Sequence, residues 1–136
     1  MSVVIETVSP TQNLTGNFNG YNVKLRRITA REYDAMIENG VFDENDQVEL
    51  LNGAIIEKMP KGNKHSAATD RIAKFFDRNF NEIIFVRNQN PIWLDEFSEP
   101  EPDIVLASLR ADEYENSHPT AQEIFLILGI SDSTLG

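Results

Sequence analysis

From Lys64 to Asn79, and just beyond at Phe80, the apolar residues Ala67, Ala68, Ile72, Ala73, Phe75 and Phe76 recur at helical spacing. Asp70, Arg71, Lys74, Asp77 and Arg78 largely fill the positions between them, so the pattern predicts an amphipathic helix over 64–79. A shorter helix is predicted after Thr29-Ala30-Arg31-Glu32. That run is a capping box, in which the threonine closes one free amide and the glutamate reaches back to another. The helix should stop at Asn39-Gly40, where glycine suits the left-handed position past a helix end. Gln47-Val48-Glu49-Leu50-Leu51 and Ala54-Ile55-Ile56-Glu57 flank Asn52-Gly53, which predicts a tight hairpin. Further strands are predicted over 82–87, 89–94, 103–107 and 123–130. The last is apolar almost throughout and reads as buried on both faces. Trp93, Phe75, Phe76 and Phe80 read as core rather than as platforms for stacking bases.

Helix, hairpin, helix and then several strands indicate an α/β (mixed α+β) domain. Residues 1–20 are polar, with Asn, Thr and Gly prominent, and read as an N-terminal arm; 21–136 read as one domain. A strand buried on both faces needs cover, yet only six residues follow 123–130. The expectation is a fold shortened after that strand, with a second copy of the chain in a homo-oligomer supplying the cover.

Composition narrows the chemistry. The 136 residues contain no cysteine, which excludes disulfides, thiolate catalysis and cysteine-based zinc sites. The two histidines, His65 and His118, are too few and too far apart to suggest a zinc site. No run approaches the roughly eighteen apolar residues of a membrane span, and no secretory pattern opens the chain. A cytoplasmic protein is the simplest reading. The net charge of −10 argues against broad clinging to nucleic acid, but not against a site whose carboxylates hold divalent ions. Lys58, Lys61 and Lys64 form a basic group that is either solvated surface or a loop that meets phosphates.

Glu99-Pro100-Glu101-Pro102-Asp103 precedes the apolar run Ile104-Val105-Leu106-Ala107. An aspartate fixed at a strand mouth can cap a turn, or can aim a carboxylate oxygen into a cleft and hold a metal. Glu49, between Val48 and Leu50, points to the face opposite theirs, toward solvent or toward a site. His65 reads as a cap or surface residue or as a site member, and Gln89 as a buried structural amide or a water-orienting group.

Several pieces, in order, resemble a bacterial family of restriction endonucleases within the PD-(D/E)XK nuclease superfamily. They are Val48 to Glu57, His65-Ser66, Gln89-Asn90-Pro91-Ile92, Ser98 to Ile104, His118-Pro119-Thr120 and Ile130-Ser131-Asp132-Ser133-Thr134-Leu135. The resemblance runs from about Thr29 to the end. It implies a mixed sheet flanked by helices and DNA hydrolysis with Mg²⁺ or Mn²⁺ held by acidic residues. It puts Glu49 and Asp103 on the family's acidic positions, as catalytic and metal-binding residues. Where the next carboxylate belongs this chain has Gly129, and the family's lysine lies in a segment beyond it. Asp132 is a candidate replacement for the carboxylate. Lys58, Lys61 and Lys64 are candidate nucleic-acid contacts, with His65 and Gln89 as accessory residues. The competing expectation is a catalytically inert relative that serves as a binding or assembly module.

Overall fold

A computed structural model describes residues 2–4 and 15–131. Its elements, in order, are β1 (Ser2–Val4), β2 (Thr15–Phe18), β3 (Tyr21–Lys24), α1 (Ala30–Glu38), β4 (Val48–Leu51), β5 (Ala54–Glu57), α2 (Asn63–Phe80), β6 (Ile84–Asn88), β7 (Ile104–Ser108) and β8 (Ile124–Ser131). A single 3-10 turn, Ala121–Glu123, leads into β8. The main sheet runs β1-β8-β7-β6, and all its pairings are antiparallel.

Alternation along the strands sorts their side chains between two cores. Ile104, Leu106, Leu128 and Ile130 pack under Ala68 and Ala73 of α2, whose small side chains let the helix lie close. Val105 and Ala107 face the other way, onto Ile92 and Tyr114. A third cluster joins α1 to the β4–β5 hairpin through Ala30, Tyr33 and Leu50. The capping box at Thr29 forms: Thr29 Oγ1 accepts from the Glu32 N–H, and Glu32 Oε1 accepts from the Thr29 N–H, both at 3.1 Å. Asn52 and Gly53 both take positive φ, 48° and 82°, as a tight hairpin turn requires. This is the α/β class that the sequence implied, with a main sheet whose described pairings are antiparallel rather than mixed.

Several local expectations need correction. Residues 89–94 form no strand: Gln89 has φ 48°, which breaks extension, and the backbone pairing of Trp93 is an isolated bridge to Thr120. Residues 15–24 form a solvent-exposed hairpin, turning at Asn19-Gly20, across the boundary drawn between arm and domain. β8 is not buried on both faces, since Phe125 is 64% exposed. Phe76 packs against the core, but Phe75, Phe80 and Trp93 are exposed. Phe75 and Phe80 instead sit edge to face with each other near the end of α2.

Candidate active site

The Glu99–Asp103 run is held in place by its backbone. Glu99 exchanges two hydrogen bonds with Leu50 of β4, at 2.8 and 3.3 Å. The Pro100 carbonyl accepts from Ile92 N–H, and the Asp103 carbonyl accepts from Gln89 N–H, each at 3.0 Å. Prolines at 100 and 102 stiffen the stretch between those anchors. Its acidic side chains, two residues apart, then diverge: Glu99 turns inward, while Glu101 and Asp103 turn to a cavity of about 700 Å³.

Asp103 is the best-held group in that cavity. Its Oδ2 accepts from Ile130 N–H at 2.7 Å, and its Oδ1 is ion-paired with Lys61. His65 stands 3.3 Å from the same Oδ2 and 2.6 Å from the Ile130 carbonyl, both measured from Nε2. A carbonyl only accepts, so Nε2 carries the hydrogen and His65 ties the head of α2 to the end of β8. Burial pulls the Asp103 carboxyl upward, but the Ile130 amide, Lys61 and His65 outweigh it and hold it below the usual carboxylate range.

The other cavity walls come from the hairpin and the loop that follows it. Glu49 lines the cavity, with Leu50 buried on the opposite face, and its Oε2 accepts from Glu101 N–H at 2.9 Å. Lys58 is ion-paired with Glu101. Lys58 and Lys61 thus line the site from the loop that leads into α2, whose N-cap is Gly62 in an extended conformation. Lys64 is exposed on the first turn of α2. Gln89 is exposed, not a buried amide, and borders a smaller adjoining cavity with Lys58, Lys61 and Glu101. Gly129 lies on the cavity wall, where the register of β7 with β8, continued by one residue, sets it beside Asp103. Asp132 lies outside the described residues.

Sequence reasoning passed over Glu101, which contributes both a carboxylate and a backbone amide to the site. Its two-residue spacing from Asp103 in a proline-stiffened stretch was the available signal. It also passed over a pair behind the site, a buried glutamate against a half-buried histidine: Glu99 Oε1 and His118 Nε2 are 3.3 Å apart, and Trp93 meets the imidazole edge-on. Glu99 is 1% exposed, and its Oε2 is buried without a hydrogen-bond partner. Burial, helped by the nearby Asp34 carboxyl, pushes Glu99 up to about 8. Burial and then Arg87 hold His118 below its ordinary value, and both shifts run in the direction that favours a neutral imidazole beside a protonated Glu99.

Among the described residues no three His, Asp or Glu side chains gather closely enough to form a ready-made metal cage. The donors that are present are hard carboxylate oxygens, and the Lys61 ammonium already stands in for a cation on Asp103. Mg²⁺ and Mn²⁺ suit such oxygens, and Mg²⁺ commonly takes one or two carboxylates and keeps its waters. The residues present therefore fit a hydrated divalent ion better than a dehydrated, fully caged one.

A mixed α/β fold with a proline-braced aspartate at the mouth of a central strand is restriction-endonuclease-like. Residues 30–136 match the family described as Uma2, putative restriction endonuclease, and the chain belongs to that family. No curated protein and no solved structure matches it. Membership supports a nuclease-like function, in a class of proteins that generally uses divalent metals and acts on DNA. Among the described residues no helix is long and apolar enough to cross a membrane.

Proposed function

We propose that this chain hydrolyses phosphodiester bonds of DNA, with Mg²⁺ or Mn²⁺ held by Asp103 and Glu49 beneath the lysine loop. The observation that carries this reading is the Asp103 carboxylate itself: buried, aimed by Ile130, held ionised and already facing a cation. A bound ion would supply charge stabilisation and a more acidic water. The chain supplies the remainder. Ile130 and His65 fix Asp103, and Glu49 reaches the same cavity from β4. Lys58 and Lys61 bring positive charge to where phosphate oxygens would approach. As the water oxygen bonds to phosphorus it releases a proton to solvent, while the bond to the departing sugar oxygen breaks and that oxygen takes up a proton from solvent. End-labelled duplex DNA tests the reading: cleavage should appear with Mn²⁺ and cease with a chelator. Cleavage that persists in chelator contradicts metal dependence.

One observation favours a second reading, a relative that binds DNA through Lys58, Lys61 and Lys64 without cutting it. Gly129 leaves the cavity wall beside Asp103 without a carboxylate. Under this reading Gly129→Glu converts an inert chain into one that cleaves. A wild-type chain that already cleaves as fast as the variant excludes it.

A second copy of the chain covering the exposed Phe125 of β8 belongs to the same proposal, as does a cytoplasmic location. Light scattering that shows a monomer across micromolar concentrations would remove the oligomer.

A further inference from the structure

We infer that Lys61 is a tethered counter-ion: it occupies the cation position on Asp103 and yields it to a divalent ion, thereby setting how tightly the site holds metal. The inference rests on the nuclease reading for its purpose, but its test does not need cleavage.

Three observations carry it. Lys61 Nζ is ion-paired to Oδ1, while Oδ2 is committed to Ile130 N–H. Oδ1 is therefore the oxygen available to a metal, and Lys61 is the group already on it. The carboxylate is 7% exposed and the lysine side chain 36%, so the ammonium approaches from the solvent side and can withdraw. Lys61 also sits in the loop between β5 and α2, next to Gly62, so its side chain can leave Asp103 without disturbing either element.

Electrostatics makes the two states exclusive. An ammonium and a divalent ion cannot share one carboxylate oxygen at contact distance without strong like-charge repulsion. Without metal, Lys61 neutralises a buried carboxylate that would otherwise be costly to keep charged. With metal present, the displaced ammonium stays in the same cavity, next to Lys58 and Glu101. There it lies within reach of an incoming phosphate. Lys61 is thus a positioning residue whose role depends on whether metal is bound.

The experiment is Mn²⁺ titration by calorimetry or water-proton relaxation on the full chain and on Lys61→Met, Lys61→Arg and the double variant Lys61→Met/Asp103→Asn. Circular dichroism confirms that each is folded. Removing the competing charge should tighten Mn²⁺ binding on the order of fivefold, the scale of a partly exposed ion pair. Lys61→Arg should stay near wild type, and the double variant should lose the gain. An unchanged or weaker Mn²⁺ affinity in Lys61→Met overturns the inference, as does absence of Mn²⁺ binding in both wild type and Lys61→Met. Tighter binding in Lys61→Met with no DNA cleavage by any form leaves the counter-ion role intact and removes the nuclease reading instead.

Discussion

Ile130 donates its backbone N–H to Asp103 Oδ2 at 2.7 Å, so the end of β8 sets the direction of the carboxylate at the head of β7. The bond has a measurable consequence. Asp103→Ala leaves a buried amide unpaired and should cost about 1–3 kcal/mol. Asp103→Asn can still offer an oxygen to that amide and should cost less. Urea denaturation of the two variants checks the ordering, and equal losses would show that the bond contributes nothing.

Asp103 also shapes the acid limb of stability. Its folded value lies below its ordinary 3.8, so its contribution is fully present above about that pH. The contribution is lost as pH falls through the still lower folded value. Asp103→Asn should therefore flatten the stability profile below pH 4 relative to wild type. Parallel acid limbs in the two proteins would contradict the assignment.

Glu99 works in the opposite sense. Raised from 4.5 to about 8, it favours the fold while protonated, and that contribution declines between these values as pH rises. Glu99→Gln keeps a neutral group of similar shape and should remove this decline. The variant should match or exceed wild type in thermal stability at pH 9. A wild-type profile flat from pH 5 to 9 would show that Glu99 carries no such proton.

Leu50 is fully buried and pairs with Glu99 through its backbone, so it links the hairpin core to the segment bearing the acids. Leu50→Ala should cost about 2–5 kcal/mol. Asp103 lies further along the same segment, so metal affinity should fall along with stability. Loss of stability with unchanged Mn²⁺ affinity would separate the hairpin from the site.

Gly53 and Gly20 make a controlled pair. Both have positive φ, but a Cβ on Gly53 would lie 2.5 Å from Arg27 Cβ, whereas a Cβ on Gly20 meets nothing within 4 Å. Gly20→Ala should cost about 1 kcal/mol from backbone strain alone. Gly53→Ala should cost clearly more, because Arg27 must move. Similar melting temperatures for the two variants would contradict the close packing at Gly53.

What the sequence made legible had local causes. The capping box at Thr29, the Asn52-Gly53 turn and the period of α2 each depend on neighbours in the chain, and each formed where expected. Residues 89–94 misled because their apolar content resembles a strand, while Ile92 is buried from a loop under Val105 and Ala107. β8 misled because its composition conceals Phe125, which faces solvent. At the site, Asp103 was conspicuous from its prolines. Its partners Lys61, His65 and Ile130 are 27 to 42 residues away, and no local pattern encodes such pairings. Glu99 and His118 stayed hidden for the same reason.

The most direct test is nicking of supercoiled plasmid in saturating Mn²⁺ by wild type beside Asp103→Asn. The account predicts metal-dependent nicking by wild type and loss of at least about a hundredfold in the variant, the scale for removing a group that organises charge at a reacting centre. Nicking by Asp103→Asn at the wild-type rate would contradict it.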